Sequence, residues 1–491
     1  MVLRVARKGR EGLLVAGLVA LALALRFYDL TGESLWYDEA YSVWSSSMDI
    51  ASLRLLWEWQ VEFPLYYLLL HFWMRLFGQG EFAVRAFGAL ASAVAVIPMY
   101  ALGKALLGRR AGTIGALLWA VNPYQVWYAQ EVRMYAWAAL FTLISWYTFW
   151  RLVQDGRWGW GLGYVLATGL TFHLHYYIGW VVLVQNVFYL WWLQRHHGPL
   201  WQREAWRHGR WWLLAQGGVA LLALPAAAVF YTKLIGLNQW GWLAARYGAP
   251  GLGAWADLFA LYTLGLAFPG PSGLRWGIVA LFLALASAGA VLAGRRRGPE
   301  REAVLLALLA LGLPLAILWV LGQFAAVWVP RYLLLLMPAY LLLVALGLAC
   351  APRWGLRLGG VLLVVAASLY ALSGMYGGQQ KEDWRGVAAY IAQHGGPNDL
   401  IVLLDEECRV PFSYYYGSGG ARVEVSRFAD DAALDRAVAE IVRRQRGGHL
   451  WLVVSHADGR ALQERLRALP GLRQLQGPAF VGIELVTYVW S

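Results

Sequence analysis

The chain has 491 residues, 60% of them hydrophobic and only 14% charged. Soluble domains carry roughly a quarter charged residues, so this composition excludes a wholly soluble protein and describes a polytopic membrane protein with one smaller soluble domain. The net charge of +12 does not point to nucleic acid. The basic residues form no single patch and recur in short clusters between apolar stretches, the pattern that orients membrane segments.

A span needs about 20 apolar residues. The basic clusters are Arg4-Arg7-Lys8-Arg10, Lys104-Arg109-Arg110, Arg151-Arg157, Arg195 to Arg210, Arg295-Arg296-Arg297-Arg301 and Arg353-Arg357. With all of them in the cytoplasm, alternation predicts about eleven transmembrane helices. They fall near 12–29, 86–107, 113–129, 135–153, 159–174, 177–193, 211–231, 275–294, 303–322, 332–350 and 358–375. The first is read as a retained helix, since no small-residue cleavage site follows it. Two further apolar stretches, Pro64 to Phe77 and Trp255 to Phe268, break the parity and are each short of a crossing, at about 14 residues. They are expected as interfacial or re-entrant helices on the outer face.

Polarity changes after Gly377-Gly378. The expected division is a transmembrane domain over 1–378 and a small extracytoplasmic α/β domain over 379–491. Leu400 to Leu404 and Leu450 to Val454 read as buried strands, and Asp431 to Arg444 and Gly459 to Leu469 as amphipathic helices. Cys350 and Cys408 fall on opposite sides of the membrane in this topology, so no disulfide is expected.

The unusual polar residues of the membrane half gather at the outer ends of helices. They are Asp38-Glu39, Glu131 with Arg133 and Tyr135, His173 with His175 and Tyr176, and Arg331-Tyr332. Adjacent carboxylates among aromatics at a bilayer surface are costly to desolvate, which suggests function. Each group also has a plainer reading: an acid at a helix start, a Glu131–Arg133 pair at a helix junction, an arginine anchored among headgroups. His173 and His175, two apart, do not share a helical face, so at least one is expected to be structural. Zinc would need a third ligand that the sequence does not identify, and a metal site is left unassigned. Lys381-Glu382-Asp383-Trp384-Arg385 reads as a charged helix start with Asp383 near the N-cap.

These segments together resemble the GT-C fold glycosyltransferases. The resemblance is strongest to bacterial relatives of the protein O-mannosyltransferases and of the lipid A aminoarabinose transferase, a glycosyltransferase family 39-like group. It is carried by Leu35-Trp36-Tyr37-Asp38-Glu39, Phe63-Pro64-Leu65-Tyr66-Tyr67, Glu81-Phe82-Ala83-Val84-Arg85 and Gly108-Arg109-Arg110-Ala111-Gly112. Further segments are Asn122-Pro123-Tyr124, Gln130 to Tyr135, Pro330-Arg331-Tyr332 and Asp383-Trp384-Arg385. The resemblance implies an outer-face transferase with a polyprenyl-phosphate-linked sugar as donor and no organic cofactor. Asp38 matches the family's first-loop acid, its candidate base, and Glu131 a second acidic position. Glu62-Phe63 departs from the family's pattern, which removes the expectation of a donor-phosphate contact there.

The chemistry agrees with a bottom-up reading. Nucleotide sugars are made in the cytoplasm, so a transferase working outside needs a donor carried across on a lipid. Its phosphate suits arginine, here Arg133 and Arg331. One base, Asp38, serves a direct displacement, with inversion expected, and Glu39 beside it is the other candidate catalytic residue. Glu131 is open to orienting Arg133, the acceptor or a divalent cation. The acceptor is a hydroxyl of a glycolipid, a polysaccharide or a protein, and the expected location is a bacterial plasma membrane. The alternative is a transporter or flippase for polyprenyl-linked lipid or sugar; it would place charges near mid-bilayer with internal repeats, and neither is visible. An oligosaccharyltransferase is the nearest enzyme alternative.

Overall fold

In the computed structural model, residues 2–53, 64–236, 246–295, 298–417, 422–425, 431–444 and 447–490 are described. Glu62 and Phe63 lie outside them. The chain divides into two units. The first comprises residues 1–28, 49–73 and 85–377, and the second residues 29–48, 74–84 and 378–491. Two segments that precede residue 378, including the one with Asp38, therefore group with the C-terminal part of the chain.

The first unit is helical. It contains α1 (Val2–Phe27), most of α3 (Pro64–Phe77) and α4 (Glu81–Val94), and α5 (Val96–Val121), α6 (Pro123–Ala129), α7 (Tyr135–Asp155), α8 (Trp158–Phe172) and α9 (Ile178–His197). After these come α10 (Arg203–Gly236), α11 (Gly253–Leu264), α12 (Ser272–Gly294), α13 (Pro299–Leu321), a 3₁₀ turn (Tyr332–Leu336), α14 (Met337–Ala349) and α15 (Trp354–Tyr376). Six stretches among the described residues are long and apolar enough to cross a membrane. The chain is a multi-pass membrane protein.

Helix α3 has 14 residues and α11 has 12. At about 1.5 Å per residue neither reaches across a bilayer core. Helix α5 is broken at Gly108, where φ is 86° and ψ 168°. The chain reverses there: a Cβ on Gly112 would lie 2.6 Å from Lys104 N and 2.9 Å from Tyr100 O. The expected helix over 113–129 ends early, at Val121, because Asn122 precedes a proline and takes extended backbone (φ −69°, ψ 124°). Asn122 then caps α6, accepting from Gln125 N at 3.0 Å, with Pro123 in the first turn.

The second unit is built on a mixed five-stranded sheet, in the order β2 (Arg422–Val425), β1 (Leu400–Leu403), β3 (His449–Val454), β5 (Glu484–Trp490), β4 (Leu472–Leu475). Strand β1 runs parallel to β2 and β3, whereas β5 is antiparallel to β3 and β4. The period-two pattern explains why β1 and β3 read as unbroken apolar runs. Ile401, Leu403, Trp451 and Val453 face one core with Trp384, Ile391 and Phe412. Leu400, Val402, Leu450 and Leu452 face the other with Leu434, Ile441 and Leu462. Both sheet faces are covered by helices, so neither side of these strands is polar. The covering helices are α16 (Trp384–His394) and α17 (Glu406–Tyr416) on the first face, and α18 (Asp431–Arg444) and α19 (Arg460–Arg467) on the second. Cys350 and Cys408 are both free thiols, and burial pushes Cys408 up to about 12.

In the first unit, α12 and α14 meet at glycines. A Cβ on Gly347 would lie 2.0 Å from Leu285 O, and one on Gly289 2.6 Å from Gly347 N. Small residues let membrane helices approach this closely. Gly347→Ala is expected to cost about 1–3 kcal/mol through overpacking. Gly312→Ala, where nothing lies within 4 Å, should be neutral or stabilising. Thermal unfolding of both variants in the same detergent checks this.

Candidate active site

In the second unit, residues 29–36 lead into α2 (Tyr37–Ser47). Trp36 is extended at the N-cap, and Asp38 and Glu39 occupy the first turn, where the helix dipole favours negative charge. Successive residues of a helix point about 100° apart, so the two acids face differently. Asp38 is half-buried. Glu39 is fully buried and accepts from Lys381 Nζ at 3.0 Å. Removing one partner of such a pair leaves an uncompensated buried charge, at about 3–5 kcal/mol. A cavity of about 320 Å³, lined by Ala40, Trp44, Arg409 and Tyr414 among others, lies on the other side of this helix. Ala40 is about 160° around the axis from Asp38, so that cavity is not where Asp38 points.

The charged segment at 381–385 contributes more than a helix start. Asp383 does cap α16, accepting from Gly386 N at 2.9 Å. Glu382 accepts from Trp384 Nε1 at 2.6 Å and pairs with His456. Arg385 donates to both carboxylate oxygens of Glu81, at 2.8 and 2.7 Å, and to the carbonyls of Thr31 and Glu33, both at 3.0 Å. All of these residues belong to the second unit. Lys381 and Arg385 were not among the expected site residues, although their motif is visible in the sequence.

In the first unit, the turn between α6 and α7 carries Glu131 and Arg133, both buried. Its backbone rests on α4: a Cβ on Gly88 would lie 2.9 Å from Ala129 O and 3.2 Å from Glu131 O. Glu131 Oε1 accepts from Trp127 Nε1 at 2.9 Å, one helical turn back. Arg133 Nη1 lies 3.5 Å from the hydroxyl of Tyr67. Trp127 and Tyr67 add to the expected set; at 29 tryptophans and 26 tyrosines, composition could not single them out.

His175 lies in the turn between α8 and α9 and is 1% exposed. Its ring packs against Tyr332 (4.9 Å), Tyr176 (5.1 Å), Tyr177 (5.4 Å) and Tyr135 (5.9 Å). Nδ1 accepts from Tyr177 N at 3.2 Å, which places the proton on Nε2. That Nε2 is buried and has no hydrogen-bond partner among the described residues. Burial, then the Arg331 and Arg133 guanidiniums, push the imidazole down to about 3. Arg331 also stacks on Tyr332, its guanidinium carbon 5.6 Å from the ring centre. Arg133, Tyr135, His175, Tyr176, Arg331 and Tyr332 are thus brought to one place. His173 is not: its Nε2 bonds to Leu222 O in α10 at 2.7 Å, a structural contact. Among the described residues, no three His, Cys, Asp or Glu side chains are grouped to hold a metal ion.

Two guanidiniums and a neutral imidazole N–H in an aromatic surround have the charge and the donors that an anion would require. Buried charge-assisted hydrogen bonds of this kind are short and strong.

The fold is that of the GT-C membrane glycosyltransferases. Residues 62–215 match the family model described as dolichyl-phosphate-mannose-protein mannosyltransferase. That range holds Glu131, Arg133 and His175 but not Asp38 or Arg331. The chain is similar to ArnT from Cupriavidus metallidurans in its crystal structure bound to undecaprenyl phosphate. The TM-score is 0.60 at 15% identity, over 96% of this chain and 97% of that one. It is also similar to the archaeal oligosaccharyltransferase AglB from Archaeoglobus fulgidus in complex with an inhibitory peptide and a dolichol-phosphate. There the TM-score is 0.55 at 11% identity, covering 91% and 69%. The arabinofuranosyltransferase AftD from Mycobacteria matches with a TM-score of 0.52 at 14% identity, over 97% of this chain and 40% of that one. Comparison with curated protein sequences returns no match.

The imidazole gives a pH prediction. A histidine held neutral in the folded state but free to protonate when unfolded stabilises the fold above its unfolded pKa of about 6.5 and progressively less below it. Stability contributed by His175 is therefore lost as pH falls from about 6.5 toward 3. Between pH 7.5 and 5 the parent should lose about 2 kcal/mol more than His175→Gln. Unfolding midpoints of both proteins across that range test it; parallel profiles would place the imidazole in contact with water.

Proposed function

We propose that the chain is an integral-membrane glycosyltransferase that moves a sugar from a polyprenyl-phosphate donor to an acceptor hydroxyl on the extracytoplasmic face of a bacterial plasma membrane. The observation that carries this reading is the buried His175, its Nε2 without a protein partner among the described residues, ringed by Tyr135, Tyr176 and Tyr332 with the Arg331 guanidinium over Tyr332. An anion site built into a membrane-spanning unit suits the phosphate of a lipid-linked donor. The GT-C fold and the family match over residues 62–215 support the same class of reaction.

Asp38 is the proposed general base. It takes the proton of the acceptor hydroxyl as that oxygen bonds to the anomeric carbon and the bond from that carbon to the phosphate oxygen breaks. The electron pair leaves with the polyprenyl phosphate, already a weak base, so the step needs no strong general acid. One displacement inverts the anomeric configuration. Arg133 and Arg331 stabilise the charge gathering on the departing phosphate, a contact that strengthens in the transition state. His175, neutral across the working range, donates Nε2–H to the same anion and carries no proton in the reaction. Glu131, held by Trp127, is assigned to substrate binding, and Tyr135, Tyr176 and Tyr332 to packing on the donor. Glu39, paired with Lys381, is assigned to positioning rather than proton transfer. The sugar is a hexose or a pentose, and the acceptor a glycolipid, a polysaccharide or a protein.

The test is transfer from a panel of undecaprenyl-phosphate hexoses and pentoses to acceptors in a bacterial membrane extract. Asp38→Asn should lower transfer by about 10²–10⁴-fold, the usual worth of a positioned base, with donor affinity kept. Equal transfer by parent and variant would remove Asp38 from the chemistry. No transfer by the parent, with labelled undecaprenyl phosphate crossing vesicles instead, would overturn the transferase reading.

A further inference from the structure

We infer that Lys381 and Arg385 are positioning residues for the reaction, holding the segment that presents Asp38. This rests on the transferase reading above. It assigns the first residues after the helical bundle to the catalytic apparatus.

The contacts run along residues 31–39 with little interruption. Arg385 donates to the carbonyls of Thr31 and Glu33. The carboxylate of Glu33 accepts from the backbone N–H groups of Gln380 and Lys381. Ser34 Oγ donates to Glu382 O at 2.5 Å, and Leu35 N donates to the Tyr415 hydroxyl at 2.6 Å. Tyr415 in turn donates to Glu81, the carboxylate that also holds Arg385. The series ends at Glu39 on Lys381, one residue past Asp38.

Three features mark this as orientation rather than bulk stabilisation. The Arg385 contacts at 31 and 33 are to carbonyl oxygens, so they depend on the backbone path of the segment. A planar guanidinium with donors in fixed directions holds such a path in one geometry, which a lysine does not. The Glu39–Lys381 pair is withdrawn from water, its side chains 0% and 9% exposed. Such a pair often stabilises a fold no better than apolar residues of similar volume, and here it fixes the direction of the Glu39 side chain. Because Glu39 follows Asp38 in the same helical turn, its direction sets that of Asp38. A displacement of about 1 Å in a reacting group costs about 10²-fold in rate.

The experiment uses the full chain in lipid nanodiscs, with two readouts. Amide exchange over residues 29–39 is measured without any ligand. Transfer from undecaprenyl-phosphate sugars to membrane-extract acceptors supplies kcat and the donor KM. In Lys381→Met and Arg385→Lys, exchange over 29–39 should rise about tenfold or more. Their kcat should fall about 10²-fold, with the donor KM changed less than about threefold. The exchanged pair Glu39→Lys with Lys381→Glu should recover kcat to within about tenfold of the parent, which a collapsed fold or a catalytic Glu39 would not allow. The inference is overturned if both single variants keep parental exchange over 29–39, or if the exchanged pair is no faster than Lys381→Met. If the parent transfers no sugar from any donor, the transferase reading falls with it, and the exchange data alone decide whether Lys381 and Arg385 hold the segment.

Discussion

A single guanidinium organises the first unit where its helices end. Arg26, near the C-terminus of α1, is fully buried. It donates to Ser92 Oγ at 2.8 Å in α4 and to the carbonyls of Ala120 (2.8 Å) and Trp119 (3.1 Å), near the end of α5. Those carbonyls lie in the last turn of α5, where the intrahelical ladder runs out and the dipole is negative. A charge in such a place is costly unless every donor is occupied, which ties three helices to one geometry. The backbone leaving α1 is then used again: Gln130 donates to Arg26 O at 3.1 Å and Tyr28 O at 2.9 Å. The turn that carries Glu131 and Arg133 is thereby referred to the end of α1.

The same economy of polar groups separates residues that look equivalent in the sequence. Asp38 and Glu39 are adjacent acids, yet helical geometry sends one into a buried ion pair and leaves the other half-exposed. His173 and His175 are two apart, yet one is bonded to the carbonyl of Leu222 and the other is buried among the rings of Tyr135, Tyr176, Tyr177 and Tyr332. Burial alone does not separate them: Glu39 is the more buried of the two acids and His173 the less buried of the two histidines, yet both are held by protein partners.

Much of the fold was legible from pattern. Helix α3 and helix α18 have the bounds expected from their apolar and amphipathic runs, and strands β1 and β3 lie where the buried runs lie. Strands β2, β4 and β5 were not among the expected elements. Strands β2 and β4 have four residues each, too few for alternation to separate strand from loop, whereas β5, seven residues with Leu485 to Tyr488 buried, is an apolar run that the sequence does carry. The helix expected over 113–129 failed at Asn122-Pro123 because an apolar count does not register a proline that ends one helix and starts another.

By itself, the sequence determined a polytopic membrane chain, the places where its polar residues cluster, and a small sheet domain at its C-terminal end. These depend on composition and local periodicity, which are properties of neighbouring residues. Tertiary structure alone decided that residues 29–48 and 74–84 group with the C-terminal unit, that Lys381 pairs with Glu39 from 342 positions away, and that Tyr135 and Tyr332 meet at the ring of His175. Such contacts depend on which groups are left without solvent when distant segments pack, and no window along the chain contains both partners.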